Sequence, residues 1–263
     1  MTRVNVTSAA GVFVIELNDP PANTYSYEMM QEIDAAVLAA RMDASIHVIV
    51  FRGAGDKFFC AGANIGMLKD ADPDFKYYFC LHANETLTRL EQTPKLVIAA
   101  LNGHTVGGGL EVALAADLRI AKKDAGKIGL PEVALGVLPG TGGTQRLTRL
   151  VGKTRALELM ATGELFDFER GREIGLVNQI YEAGTGEQFM AQVMNYARQF
   201  TTPDKAAGAV GKIKRAVQTG SEIPFESALA LERELQQQLF LSADAREGLE
   251  AYVNKRKPVF KGK

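Results

Sequence analysis

Two glutamates stand in segments suited to proton transfer beside a site that binds an oxyanion. Glu111 follows the glycine run 107–109 and is the one charged residue of the stretch GLEVALAA, whereas Glu132 follows a proline in the separate segment LPE. An apolar helix seldom carries a carboxylate in its first turn unless that group caps backbone amides or takes part in catalysis. Taken alone, Glu111 fits capping and catalysis equally well, and Glu132 fits a surface carboxylate.

Two turns of small residues accompany these glutamates. One surrounds Ala63 in FFCAGANI, and the other surrounds Gly108 in NGHTVGGGLE. Small residues at the start of a helix let the backbone approach a ligand and point amide hydrogens outward at the positive end of the helix dipole. Such amides stabilise an oxyanion. We therefore predict one N–H donor from each turn, with Glu111 on the adjoining face and Glu132 approaching from another direction.

The elements that position these segments alternate between strand and helix. Apolar, β-branched runs predict strands over 12–17, 47–51 and 96–101, and helical spacing predicts helices that open at Ser26 and span 73–90. Continuous apolar strands in this order favour an α/β fold with a largely parallel sheet. Shorter predicted elements are a helix over 110–116 and strands over 118–121 and 128–130.

The pattern becomes helical from about Thr144 onward. Apolar periodicity there predicts a series of helices with no strand between them. Their ranges are roughly 154–161, 167–174, 187–200, 203–218, 225–240 and 243–256.

Composition excludes several classes of function. The 263 residues have a formal net charge of −1, which weighs against a nucleic-acid surface, and no apolar run approaches the length of a membrane span. The first residues lack the features of a signal or transit peptide, so we expect a cytoplasmic protein. Cys60 and Cys80 lie in apolar surroundings and are expected to be buried free thiols.

Several familiar motifs are incomplete. Gly152-Lys153-Thr154 resembles the end of a phosphate-binding loop, but the glycine required five residues earlier is Leu147. The sequence has no Gly-x-Ser-x-Gly elbow and no Cys/His/Asp cluster with metal-ligand spacing. We therefore predict neither a serine hydrolase of that type nor a metal site.

Three segments taken together resemble the enoyl-CoA hydratase/isomerase family, the crotonases. FCAGANI resembles the first oxyanion-loop motif of the family, and GHTVGGGLE resembles the second, which carries one catalytic glutamate. LPEVALGVLPGTGGTQRL resembles the segment that carries the other glutamate. The order and spacing of the three are highly specific, and the similarity extends from the NDPPAN turn to the terminal KRKPVF.

The resemblance implies an α/β fold, namely a spiral of ββα units followed by a helical trimerisation region. We assign residues 1–200 to the spiral that carries the site and residues 201–263 to a helical region for oligomerisation and cover of the active site. The expected assembly is a homotrimer or a homohexamer built as a dimer of trimers. The expected partner is an acyl-CoA substrate, as in fatty-acid β-oxidation, with no cofactor, because CoA belongs to the substrate.

The resemblance also implies roles for individual residues. Ala63 and Gly108 match the oxyanion donors, and Glu111 and Glu132 match the acid/base pair; which glutamate is acid and which is base stays open. Having both glutamates favours a hydro-lyase, which adds water to the 2,3 double bond of an enoyl-CoA to give a 3-hydroxyacyl-CoA. The residues expected to contact the substrate or its CoA part are Ala61, Ala63, Asn64, Ile65, Gly66, Gly108 and Gly140.

Some positions depart from the family pattern. Asn64 stands where the family often has Asp, Gly66 where many hydratases have Lys, and Leu130 where short-chain hydratases commonly have Gln. Basic residues of the tail, 255–257, are candidates to replace the missing cation, and residues 75–87 and the helix from Phe225 are candidate pocket walls. The alternatives are a Δ3-Δ2 enoyl-CoA isomerase, a hydratase for a branched or pathway-specific enoyl-CoA, and a non-catalytic relative that binds acyl-CoA or RNA.

Overall fold

The computed structural model describes residues 2–262 and contains nine strands and eleven α-helices in that range. The strands are β1 (Val4–Ala9), β2 (Val12–Leu17), β3 (Val48–Gly53), β4 (Phe58–Cys60), β5 (Leu96–Leu101), β6 (His104–Val106), β7 (Leu118–Lys122), β8 (Ile128–Gly129) and β9 (Gln179–Tyr181). The helices are α1 (Tyr27–Met42), α2 (Ile65–Asp70), α3 (Pro73–Glu91), α4 (Gly108–Leu114), α5 (Gly143–Val151), α6 (Lys153–Thr162), α7 (Phe168–Glu173), α8 (Gly186–Arg198), α9 (Ala207–Gly220), α10 (Phe225–Phe240) and α11 (Ala243–Val253). A short 3-10 helix spans Glu132–Leu135.

Strand pairing produces two sheets. The larger has the order β1-β2-β3-β5-β7-β9, and the smaller has the order β4-β6-β8. Only β1 and β2 pair antiparallel among the described strands. After β3, β5 and β7 the chain passes into one strand of the smaller sheet before it turns helical. The largely parallel sheet and the repeated ββα unit confirm the predicted fold class.

Both faces of the larger sheet are covered, which explains its continuous apolar strands. In β3, Val48 and Val50 pack toward α8, whereas Ile49 and Phe51 face the core that holds α1 and α3. Side chains of a strand alternate between faces, so a strand buried on both sides must be apolar at every position. Ser26 begins α1 as predicted, and its hydroxyl accepts a hydrogen bond from the Met29 amide at 3.4 Å.

The second half is less uniformly helical than predicted. Strand β9 interrupts it and pairs with β7, and α5 was not predicted. Strand β9 has only three half-buried residues, so its sequence carries no clear period. The helix predicted from residue 203 begins at Ala207, and the one predicted to end at 256 ends at Val253. Strands β1, β4 and β6 and helix α2 are further elements that the patterns did not predict.

The last three helices follow the core in sequence. Helix α9 is anchored on the core by buried Lys214, whose Nζ lies 2.9 Å from the Asp117 carboxylate. Cys60 is buried, and Cys80, predicted buried, is half-buried; both are free thiols. Cys80 retains some exposure because it lies on α3 opposite Gly140, which has no side chain to cover it. None of the helices in residues 2–262 is long and apolar enough to cross a membrane.

Candidate active site

A cavity of about 340 Å³ lies between the two turns of small residues and the segment that carries Glu132. Glu111 and Glu132 both line it. Seven of the predicted site residues line this cavity: Ala61, Ala63, Ile65, Gly108, Glu111, Glu132 and Gly140. Segments that are distant in sequence therefore meet at one place.

The other two predicted residues do not line the cavity. Asn64 is the N-cap of α2, and its side chain accepts a hydrogen bond from the Met67 amide at 3.0 Å. Gly66 is exposed in the first turn of α2. Both residues therefore lie outside the cavity, and their contact with the CoA part of a substrate stays a prediction.

The amides of Ala63 and Gly108 point to no protein acceptor within residues 2–262. The residues on both sides of Ala63 are fixed by the backbone of Tyr25. Its amide donates to the Gly62 carbonyl, and its carbonyl accepts from the Asn64 amide. A Cβ on Gly62 would lie 3.0 Å from the Gly108 nitrogen. A Cβ on Gly109 would lie 2.0 Å from the Cys60 carbonyl oxygen. The two segments therefore touch backbone to backbone, and both amides remain available to a ligand.

Tyr25 supports the second of these amides from behind. Its ring is buried, and a Cβ on Gly108 would lie 2.1 Å from its hydroxyl oxygen. That hydroxyl shares a hydrogen bond of 3.1 Å with Thr141 Oγ1. No residue larger than glycine fits at 108 unless Tyr25 moves.

Glu111 is held by hydrogen bonds from a different part of the chain. The side chain is 2% exposed, and its Oε1 accepts from the amides of Thr141 and Gly143 at 2.8 Å each. The Thr141 hydroxyl contacts Oε2. Gly143 begins α5, whose own N-cap residue provides no side-chain bond. Glu111 thus caps a remote helix, where a negative charge is favourable.

Glu132 has a contrasting environment. It begins the 3-10 helix, and its Oε2 is buried with no hydrogen-bond partner among the described residues. Burial raises the pKa of this carboxyl to about 7, and the charge of Glu111 adds to the increase. The Glu132 backbone amide and Lys76 act in the opposite direction on this pKa. Leu130, which stands where a Gln is common, is buried and offers no polar partner.

The two carboxyl groups approach the donor amides from different sides. A Cβ on Gly107 would lie 3.2 Å from Glu132 Oε1, so this carboxyl rests against the residue that precedes the Gly108 amide. Glu111 lies one helical turn beyond that amide in α4. The arrangement can hold an oxygen anion at the amides and exchange protons with a group placed between the carboxyls.

Comparison with known proteins identifies the family. The family model for enoyl-CoA hydratase/isomerase matches residues 7–263. The chain belongs to this family. It is 34% identical to a probable enoyl-CoA hydratase of Bacillus subtilis, with all of both chains covered. It is 35% identical to the short-chain-enoyl-CoA hydratase of Clostridium acetobutylicum, covering 98% of this chain and 97% of the relative.

A solved structure shares the fold closely. The crystal structure from Geobacillus kaustophilus named "Enoyl-CoA hydrates" superimposes with a TM-score of 0.96 at 46% sequence identity. The match covers 100% of this chain and 98% of the other. This agreement confirms the crotonase-like fold expected from the three sequence motifs.

Three polar side chains of this crotonase cavity were not predicted as site residues. Tyr25 and Thr141 line it and connect Glu111 to the Gly108 side, and Lys76 lines it from α3. Tyr25 lies in the segment NTYSYEM, whose sequence departs from the usual family pattern. That departure was the signal that could have pointed to Tyr25. Lys76 lies within the predicted wall 75–87, whereas no residue of α10 lines the cavity.

The basic tail lies away from this cavity, and its predicted role as a replacement cation for the CoA-binding loop stays a prediction. Arg256 pairs with Glu247, and Lys257 pairs with Asp204, both at the surface. None of residues 255–257 lines the cavity. Within the described chain, no group of three or more His, Cys, Asp or Glu side chains is placed to hold a metal ion.

Proposed function

We propose that this family member is an enoyl-CoA hydratase. It adds water, with syn geometry, across the 2,3 double bond of an enoyl-CoA thioester and yields a 3-hydroxyacyl-CoA. The observation that carries this proposal is that two carboxyl groups meet, in one cavity, two amides that bond to no acceptor within residues 2–262. The names of the Bacillus and Clostridium relatives, both enoyl-CoA hydratases, support it.

The amides of Ala63 and Gly108 bind the thioester oxygen in this proposal. Their hydrogen bonds polarise the conjugated double bond, make C3 electrophilic and stabilise the enolate-like charge that develops on oxygen. Removal of one such donor typically costs about 10²–10³ in rate. The donors are preorganised because the segments that carry them are in backbone contact.

We assign the base role to Glu111 and the acid role to Glu132. Three hydrogen-bond donors surround the Glu111 carboxylate, which suits an anion that takes a proton from water as oxygen adds to C3. The raised pKa of Glu132, about 7, suits a group that delivers a proton to C2. Glu111 takes one proton from water, and Glu132 gives one to C2. The pair therefore begins with its single proton on Glu132 and ends with it on Glu111.

The substrate contains the only coenzyme that this reaction needs. Hydration changes no oxidation state overall, and the two carboxyls supply the proton transfers, so the proposal includes CoA only as part of the substrate. The cytoplasmic location stays a prediction. A homotrimer or a dimer of trimers also stays a prediction. Exposed apolar side chains on the last two helices and in the turn between them support it: Phe240, Leu241, Leu249, Tyr252 and Val253.

The decisive test is turnover. Crotonyl-CoA and a 3-enoyl-CoA are incubated separately with the protein, and the conjugated enoyl thioester is followed by its ultraviolet absorbance. A hydratase removes the absorbance of crotonyl-CoA, whereas an isomerase creates absorbance from the 3-enoyl thioester. Product identity is checked by mass, since hydration adds one water. Acyl-CoA binding without turnover on enoyl-CoAs of several lengths would contradict the proposal and favour a non-catalytic relative.

A further inference from the structure

Lys76 is the one cationic side chain that lines the cavity in the described part of the chain. It lies in the first turn of α3 and is half-buried. Its Nζ lies 5.4 Å from the centroid of the Phe79 ring and 3.9 Å from the position that a Cβ would take on Gly140. The ammonium group therefore rests on an aromatic ring beside a residue that has no side chain.

The ammonium group of Lys76 forms no salt bridge and no hydrogen bond within residues 2–262. Two other partly or fully buried cations of the protein are paired with carboxylates: Arg146 with Glu91 at 2.7 Å, and Lys214 with Asp117 at 2.9 Å. A cation that faces a largely apolar cavity without a partner carries a desolvation cost that an anionic ligand would offset.

The two glutamates do not supply that partner. Glu111 already accepts bonds from Thr141 and Gly143, and neither glutamate lies within salt-bridge distance of Lys76. Burial raises the pKa of Glu132 to about 7, so near neutral pH this group carries only part of a negative charge. Lys76 is therefore the group beside Gly140 that can attract an anionic end of a ligand.

The cation lies a short distance from the reacting centre. Lys76 Nζ is beside Gly140, the next residue is Thr141, and the Thr141 amide bonds to Glu111 Oε1 at 2.8 Å. With neighbouring Cα atoms about 3.8 Å apart, the path from Nζ to the Glu111 carboxylate is on the order of 10 Å. This length suits a short acyl chain rather than a long fatty chain.

We propose that Lys76 binds a carboxylate at the far end of the acyl group, so that the preferred substrate is a short enoyl-CoA with a terminal carboxylate. The inference rests on the proposed hydratase function and specifies its substrate class. A charge-assisted hydrogen bond of this kind is worth roughly 10–100-fold in kcat/KM over a neutral chain end.

The experiment compares two thioesters of equal length, trans-2-hexenedioyl-CoA and trans-2-hexenoyl-CoA, in which a terminal carboxylate replaces a methyl group. The wild-type protein is expected to prefer the carboxylated thioester by about 10–100-fold in kcat/KM. Lys76→Met removes this preference, mainly through a higher KM for the carboxylated thioester, and Lys76→Arg retains most of it. Lys69→Met is the matched control, because Lys69 is exposed on α2 and does not line the cavity.

The possible failures are distinguishable. Hydration of both thioesters by the wild-type protein at similar kcat/KM overturns this inference and leaves the hydratase proposal intact. A rise in KM by the same factor for both thioesters in Lys76→Met also overturns it, because the lysine would then bind the CoA part that they share. Absence of turnover on both thioesters and on crotonyl-CoA contradicts the hydratase function itself.

Discussion

The two glutamates of the cavity lie in regions that differ sharply in packing. Helix α4, which carries Glu111, has all seven of its residues buried, whereas the 3-10 helix that carries Glu132 has none. Beyond Glu132 the chain exposes apolar side chains, including Leu135 and Leu138. One carboxyl is therefore fixed by the core, and the other stands on a lightly packed segment at the cavity wall.

This difference provides an acid and a base from one residue type. Glu111 gains hydrogen bonds from Thr141 and Gly143, whereas Glu132 has a buried oxygen without a partner and a pKa of about 7. Hydrogen bonds favour a charged carboxylate, and burial without them favours the neutral acid. The local environments thus separate two chemically identical side chains into opposite roles.

The largest expected effect is on turnover when Glu111 becomes glutamine. Glu111→Gln should lower kcat by about 10²–10⁴, because an amide cannot take a proton from water. The fold should persist, since the amide oxygen can still accept from Thr141 and Gly143 while its NH₂ group donates to the Thr141 hydroxyl. Steady-state kinetics and thermal unfolding measure both effects. Near-normal turnover in a folded Glu111→Gln protein would remove Glu111 from the mechanism.

The pH profile tests the role of Glu132. The pair must retain one proton, so kcat/KM for hydration should fall about tenfold per pH unit above a pKa near 7, as Glu132 ionises. Glu132→Gln should lower turnover by about 10²–10⁴ and abolish this alkaline limb. Rates on crotonyl-CoA between pH 5 and 9 provide the measurement. An alkaline limb unchanged in Glu132→Gln would assign it to another group.

A smaller effect is expected at the residue that connects Glu111 to Tyr25. Thr141→Val removes the hydroxyl that contacts Glu111 Oε2 but keeps the backbone amide that donates to Oε1. Loss of one charge-assisted hydrogen bond should lower kcat by about tenfold with little change in KM. Thr148→Val is the control, because that hydroxyl bonds only to the Thr144 carbonyl. Equal kinetics in the two variants would argue against positioning by Thr141.

The smallest expected effect concerns stability. The folded pKa of Glu132, about 7, exceeds its ordinary value of 4.5, so the folded state disfavours ionisation and loses stability as pH rises through this interval. The Glu132→Gln protein does not lose this stability as pH rises, because glutamine does not ionise. Because solvent partly screens the group, the variant should gain about 1 kcal/mol over wild type at pH 8 and almost nothing at pH 4. Urea unfolding at the two pH values measures the gain, and a gain of equal size at both would contradict the raised pKa of Glu132.

Much of the fold follows from local pattern. The strands over residues 12–17 and 96–101 have the bounds that apolar spacing predicts, and the helix capped by Ser26 begins where predicted. Helix α5 was missed because its N-cap residue is Gly142, which has no side chain to accept a hydrogen bond. The amide of Gly143 bonds instead to Glu111, which lies far away in sequence. The start of a helix whose cap comes from a remote element carries no capping signal in its own residues.

The site follows the same rule. The glutamates and the small-residue turns could be predicted because each lies in a contiguous motif. Tyr25, Thr141 and Lys76 were not assigned individually, since their relation to the cavity depends on how α1, α3 and the loop before α5 pack together. Asn64 is the converse case: its motif is contiguous with Ala63, but its side chain caps α2.

The backbone contact between the two amide-bearing segments has a consequence for evolution and engineering. At Gly62 and Gly109 no side chain separates the segments, and main-chain atoms alone set the spacing. The cavity wall formed by Leu68, Lys76 and Leu135 belongs to other elements. Substitutions in the wall can therefore fit a new acyl group without changing the distance between the two donor amides. This scaffold is for that reason readily adapted to new substrates.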